Sequence, residues 1–447
     1  MNTSVAHPVV GERPLPNPPT SPLAPRRDGA VAPPLRAILA VLAIALMPFP
    51  IVLHGWGNPK LSYDYVTILF PVDLALAGLL IVGSAPLARR VRARSAGPGT
   101  VVLALLAIVM SAALLVHPTA RGLHTVFELW GVVVLTGTLA ESISDGIGSL
   151  PLGAVGAVAV MEAVWSTAQL VTGSGLGLTR LGEDAHPLWP FSPTVSAPLG
   201  SMAHPYVLAG LALVASGALA WKALTGPRPA PWLALATLAV VPVGFTFSRA
   251  GLIGGALLVG GFVAGAVRPG RHRRRSALAA LLLCVGMAVP AAIWSAGWRN
   301  RAAQTTAATS ANQLTTDRTQ LDHEALVLLG AHPLTGVGPG QYVPAVQARF
   351  RTESDKRVPN FRPVHNVVLL VGAEGGVLAL IVIAALFALV GWRALRSGPA
   401  AIGVYLAYLP FCMLDHFAYS FPQGLVLTAI WLGVLDAMGR RRAASLT

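Results

Sequence analysis

Charge is scarce in this chain. Of its 447 residues only 11% are Asp, Glu, Lys or Arg, while 54% are hydrophobic; soluble domains carry roughly 25% charged residues. A soluble globular class is thereby excluded, and the expected class is an all-α, polytopic membrane protein. Cysteine is nearly absent too. Cys284 and Cys412 both fall inside apolar runs, where a thiol behaves as a small hydrophobe, so neither a disulfide framework nor a metal site is supported. Lysine occurs only at Lys60, Lys222 and Lys356, a bias that reads as a GC-rich bacterial genome, with an actinobacterium as the guess. The net charge of +14 would suggest a nucleic-acid partner if it formed a patch. The basic residues instead lie in short clusters between apolar runs, so no nucleic acid is expected.

What the chain has in quantity is apolar runs long enough to cross about 30 Å of hydrocarbon. Twelve are expected, at 35–53, 66–85, 100–116, 126–140, 151–171, 205–221, 231–247, 249–267, 276–295, 364–392, 400–417 and 423–438. Residues 1–34 are rich in Pro and read as a disordered tail, with no cleaved signal peptide expected. With the N-terminus inside, the inner segments hold 20 Lys and Arg and the short outer segments 4, the remaining 8 lying in one long loop. Long loops do not count toward the positive-inside rule, so both termini are expected to be cytoplasmic. The divisions are a tail (1–34), nine spans (35–295), a large extracytoplasmic loop with short helices (296–363), and three spans with the C-terminus (364–447).

Polar chemistry is confined mostly to the stretch from Ser295 to Asn366 and its edges. Arg249 opens a span immediately after Ser248, where a guanidinium is costly unless it is paired or faces a hydrated cavity. The helix N-terminus adds unpaired N–H groups, which together with Arg249 make an anion site; the bland reading is an arginine snorkelling to headgroups. Asp317 to Leu329 reads as a short amphipathic helix with Leu321, Ala325, Leu328 and Leu329 on one face, Asp317 as N-cap and Gln320 completing a capping box. Arg318 then stands in its first turn against the dipole, pointing either to an anionic ligand or to a pair with Asp322. Gly336, Gly338 and Gly340 lack the strand and crossover helix of a dinucleotide fingerprint and read as a turn.

His365 opens a span at the outer interface, where the helix dipole disfavours the imidazolium and keeps a neutral base available. A lone histidine is more often structural, but this one lies at a helix N-terminus on the outer interface. Glu374, nine residues on, falls about half a turn away and is not expected to pair with it. Asp415 and His416, near the outer end of another span, are candidates to orient it. Asp73, Glu128, Glu162 and Asp436 are acids in or beside spans, with packing and function both open.

Taken in order, Thr246-Phe247-Ser248-Arg249-Ala250-Gly251, then Arg318, then His332-Pro333-Leu334-Thr335-Gly336-Val337-Gly338-Pro339-Gly340, then His365-Asn366-Val367-Val368-Leu369 through Glu374-Gly375-Gly376 resemble the O-antigen ligase and polymerase family over about residues 240–380. Weaker echoes are Gly200 to Pro205 and Asp415-His416 to Gly424. The resemblance implies a metal-independent, inverting glycosyltransferase of the bacterial cytoplasmic membrane with its active site on the outer face and no cofactor. Its partners would be a polyprenyl-diphosphate-linked glycan donor, a glycan or lipid-linked acceptor, and membrane lipid. By the same resemblance Arg249 and Arg318 hold the donor diphosphate and His365 deprotonates the acceptor hydroxyl. Ser248, Asn366, Arg362, His323, Asp415 and His416 are the substrate-binding candidates around them. His323 departs from the family's apolar or aromatic preference. No Asp-x-Asp sequence occurs, and the first outer loop offers only Asp64, which disfavours a metal-dependent site. The alternative is a multi-span transporter of a small solute or lipid-linked sugar, which would show repeated halves with matching broken helices; no such symmetry is visible.

Overall fold

A computed structural model describes residues 33–444 apart from 52, 57–66, 145–148, 185, 193, 194, 203, 271, 307–317 and 353–361. The tail through residue 32, Asp64, Asp317, Lys356 and Arg357 lie outside the described residues. Each expected run contains a helix. In chain order these are α1 (Pro33–Leu46), α2 (Pro71–Arg92), α3 (Pro98–Val116), α4 (Ala120–Ser144), α5 (Ser149–Thr172), α6 (Pro205–Thr225), α7 (Pro229–Val240), α8 (Arg249–Val267), α9 (Arg273–Ile293), α10 (Ser295–Thr306), α11 (Arg318–Ala331), α12 (Tyr342–Thr352), α13 (Val367–Ser397), α14 (Pro399–Leu414), α15 (Phe417–Ser420) and α16 (Pro422–Ala444). Among the described residues nine helices are long and apolar enough to cross a membrane, and the three shorter apolar ones are Leu35–Leu46, Pro229–Gly244 and Pro399–Leu414. The end carrying residues 294–366 is called the outer end below.

Proline places many of the boundaries. It stands at the first or second position of α2, α3, α6, α7 and α14, where its missing N–H costs nothing and its fixed φ suits a helix start. The first run stops at Leu46 rather than at residue 53, because Pro48 and Pro50 lack the donors that another turn needs. Two short antiparallel strand pairs stand among the helices: Leu188–Ser192 with Val195–Pro198, and His54–Trp56 with Thr67–Leu69.

Buried shares of 83%, 94% and 89% in the apolar windows of α4, α6 and α16, against 33% for α2 and for α9, put the first three at the centre and the last two at the lipid-facing edge. Small residues allow the closest crossing, between α8 and α14. A Cβ on Gly254 would come 2.3 Å from the Ala407 carbonyl oxygen, and one on Gly261 would come 2.5 Å from the Gly403 Cα, the close approach that glycine permits between membrane helices.

α13 is broken at its outer end. Gly376 takes φ +78°, and the glycine-rich turn docks into the gap. Val337 and Gly338 donate to the carbonyls of Ala373 (2.9 Å) and Glu374 (3.0 Å), and the Pro333 carbonyl accepts from Val377 N–H (2.8 Å). Irregular backbone at this depth is tolerable only where protein satisfies it. Gly336 cannot be replaced there, since a Cβ would meet the Glu374 backbone at 2.4 Å and its φ is +61°.

Candidate active site

Four separate elements deliver basic side chains to one place at the outer end. The first is the turn before α8. Phe247 adopts φ +51°, a conformation that costs a bulky residue about 1 kcal/mol or more, and it turns the chain so that α8 begins at Arg249. Ser248 caps that helix, its Oγ accepting from Gly251 N–H at 3.0 Å. The second element is α10, which packs on this turn. Gly297 lies so near the Phe247 ring that a Cβ would stand 2.2 Å from Cζ, Trp298 meets the same ring edge-on at 5.5 Å, and the Trp298 indole N–H donates to the Gly244 carbonyl at 2.6 Å. That packing carries Arg301 to Arg249.

Arg301 is half-buried, and burial pushes its guanidinium down from the usual arginine range. Tyr206, whose hydroxyl accepts from Arg301 Nη2 at 3.3 Å, opposes this, while Arg249 and Arg318 push it down further. Arg318 comes from the third element, the first turn of α11, whose Leu321, Ala325 and Leu328 are buried as the amphipathic pattern requires. Among the described residues no carboxylate lies within ion-pair distance of Arg318, and its Nε is buried without a hydrogen-bond partner. Burial raises the Asp322 carboxyl and Arg318 lowers it, so the two sense each other without a direct pair. Three guanidiniums of one sign thus face a common space.

The fourth element is the start of α13. His365 Nδ1 lies 3.0 Å from the Pro363 carbonyl. A carbonyl can only accept, so Nδ1 carries the hydrogen and the bare lone pair is on Nε2. Burial depresses the His365 pKa to about 4, with Asp415 opposing and His416 and Arg318 reinforcing the depression, and the ring is neutral at pH 7. His416 stands edge-on to it with centroids 5.1 Å apart and bonds Ser420 Oγ through Nδ1 at 2.5 Å. His204, the cap of α6, accepts from Tyr206 N–H through Nδ1 at 3.2 Å. Burial lowers its pKa to about 4 as well, against a rise from Asp415 and with help from His416, His365 and Arg362. Burial alone would raise Asp415. The three histidines around it and the N–H of His416, 2.7 Å from Oδ1, outweigh burial and hold the carboxyl below its usual range.

Geometry therefore brings together Arg249, Arg318, His365, Asp415 and His416, with exposed Arg362 at the rim. Ser248 and Asn366 lie beside them, but their side chains are engaged in capping. Asn366 Oδ1 accepts from the N–H groups of Val368 (2.9 Å) and Leu369 (3.2 Å). His323 is exposed on α11 with no hydrogen bond or ion pair to a described residue, about 140° around the helix from Arg318 at 100° per residue. Glu374 points elsewhere, accepting from Gly340 N–H (2.8 Å), Tyr342 N–H (3.2 Å) and the Tyr419 hydroxyl (3.1 Å). The turn's amides at Val337, Gly338 and Gly340 are likewise bonded to protein oxygens, which leaves no phosphate cradle there. Sequence reasoning passed over Arg301 as one of several loop cations, and did not single out His204, though its place before Pro205 at a span start was a usable signal.

One group among the described residues has metal-ligand character: Asp73, His124 and Glu128. The ring faces a carboxylate on each side, Asp73 at 3.4 Å from Nε2 and Glu128 at 3.6 Å from Nδ1, an arrangement that suits an imidazolium with two acceptors as well as a ligand.

Comparison with known families gives one match. Residues 232–384 match the family model described as O-antigen ligase, a stretch that contains Arg249, Arg301, Arg318, His365 and Glu374 and omits His204, Asp415 and His416. No curated protein matches the chain. Over that stretch the chain is similar to the O-antigen ligase family, and its long apolar helices are those of a multi-pass membrane protein.

Proposed function

We propose that the chain transfers a glycan from a polyprenyl-diphosphate-linked donor to an acceptor hydroxyl, with inversion, at the outer face of the cytoplasmic membrane. The acceptor oxygen attacks the anomeric carbon as its bond to the diphosphate oxygen breaks. Polyprenyl diphosphate leaves with the electron pair, and the hydroxyl proton passes to Nε2 of His365. Positive charge is needed most where the leaving oxygen becomes anionic. Arg249, Arg301 and Arg318 supply it as preorganised, charge-assisted donors. His365 is suited to the base role because its hydrogen is held on Nδ1 by the Pro363 carbonyl and its neighbourhood keeps it neutral. Asp415, amid His204, His365 and His416, balances the proton once the imidazole has taken it.

The observation that carries this reading is the meeting of three guanidiniums with a neutral, oriented histidine. A transporter reading lacks a use for that pairing. The test is to replace Arg318 or His365 by Ala in cells and resolve the lipid-linked glycans. Single repeats building up identify a polymerase, finished chains building up identify a ligase, and an unchanged profile with the protein present rejects glycan transfer.

A further inference from the structure

The opposite end of the bundle holds a cavity of about 270 Å³ that glycan transfer does not use. The two other cavities described are about 30 Å³ each, room for a water or two. Its position follows from the crossing of α8 and α14. These helices touch at Gly261 and Gly403, but by Gly265 a Cβ would stand 4.0 Å from Pro399 Cβ, so they part toward this end. The space between is bounded by the final turns of α6 and α8, the junction of α13 with α14, and the first turn of α9.

The lining is mixed. It includes the buried apolar side chains of Trp221, Leu224 and Met438 and the basic residues Arg268, His272 and Arg273. Among the described residues no acid lines the cavity. The nearest in sequence to Met438 is Asp436, which is engaged in capping α3, accepting from Gly99 N–H (3.2 Å), Thr100 N–H (3.1 Å) and Thr100 Oγ1 (3.0 Å). Two helices, α9 and α14, present their N-terminal ends here, positive by their dipoles. The negative ends of α6 and α8 are covered by arginine: Arg275 Nη1 bonds the carbonyls of Leu224 (3.1 Å) and Gly226 (2.9 Å), and Arg273 Nε bonds the Ala266 carbonyl at 3.0 Å. The positive-inside rule accounts for basic residues at this end. It does not account for a roomy cavity with apolar walls beneath them.

We propose that this cavity binds the headgroup of an anionic phospholipid from the leaflet opposite the transfer site, the phosphate against Arg268, His272 and Arg273 and the glycerol and first methylenes against Trp221, Leu224 and Met438. A phosphate diester complements the positive charge of Arg268 and Arg273 and the helix N-termini beside them, and its chains match the apolar wall, which a free phosphate would leave dry. The inference is independent of the transfer reaction.

Native mass spectrometry on the delipidated full chain tests it, titrating phosphatidylglycerol or phosphatidylcholine of identical chains, with inorganic phosphate as competitor. One phosphatidylglycerol should bind about tenfold or more tightly than phosphatidylcholine, since each cation near an anionic lipid surface is worth ~1 kcal/mol. The double variant Arg268→Gln/Arg273→Gln should lose that preference. Ala400→Phe, which fills the cavity from a partly exposed position and leaves every basic group in place, should lose the bound lipid with an unchanged thermal transition. Equal binding of the two lipids, or an undiminished preference in both variants, overturns the proposal. Displacement of the lipid by inorganic phosphate assigns the site to free phosphate and overturns it as well.

Discussion

Two polar clusters lie near the outer end, and they are built on opposite principles. Around Glu374 the groups are paired off: its carboxylate accepts from two backbone N–H groups and the Tyr419 hydroxyl, and that contact pins the glycine turn onto the broken start of α13. Around Arg318 the guanidiniums share one sign, and no carboxylate among the described residues lies within ion-pair distance of Arg318. A buried polar group whose bonds are all made within the protein holds a fold together. Like charges gathered from separate elements cost stability and make sense as a site for an absent anion. The same contrast appears within the motif residues, where Ser248 and Asn366 cap helices while their neighbours Arg249 and His365 face the shared space.

That contrast sets the order of expected effects. The largest is His365→Ala, which removes the base and should lower turnover by about 10²–10⁴-fold with an unchanged melting temperature, read by transfer assay and thermal unfolding together. Arg318→Ala should follow, at roughly 10²–10³-fold in kcat, the scale of losing one preorganised donor to a developing anion. Arg318→Lys should recover only part of this, because a point charge lacks the fork. Arg301→Ala should cost about 10–100-fold, since a charged hydrogen bond is worth ~1.5–3 kcal/mol. Glu374→Gln should behave in the opposite sense. It leaves turnover per folded molecule within about threefold but lowers stability by ~2 kcal/mol through weaker acceptance from Gly340 and Tyr342. Loss of activity without loss of stability in Glu374→Gln would erase the distinction between the clusters.

Much of this was legible in the sequence. Helix positions follow from apolar run length, Arg249 and His365 stand out as polar groups at run edges, where burial is expensive, and Arg318 stands out as a cation set against the dipole of a short amphipathic helix. Long-range packing decides what was not legible. Arg301 is one of eight basic residues in its stretch, and only the seating of Gly297 and Trp298 on Phe247 selects it. α4 begins at Ala120, six residues before the apolar run, because Thr119 Oγ1 accepts from Gly122 N–H in its first turn and His124 finds Asp73 on α2, a contact that sequence does not reveal. The hairpin at Leu188–Pro198 carries prolines, which interrupt a strand pattern, although Trp189 and Val195 favour strand.

The most direct test of the central claim is the pH dependence of kcat/KM for transfer from a lipid-linked donor by the purified protein, compared with His365→Ala. In the proposed reaction the base is His365, whose pKa burial depresses to about 4, and it acts when neutral. The wild-type profile should therefore stay flat from about pH 8 down through the usual histidine range near 6.5 and fall only as pH drops through about 4. The limb in kcat should sit higher, because the donor diphosphate favours the imidazolium. His365→Ala should lose both the rate and the limb. A His365→Ala protein that is folded and turns over at the wild-type rate, with the same acid limb, would contradict the account.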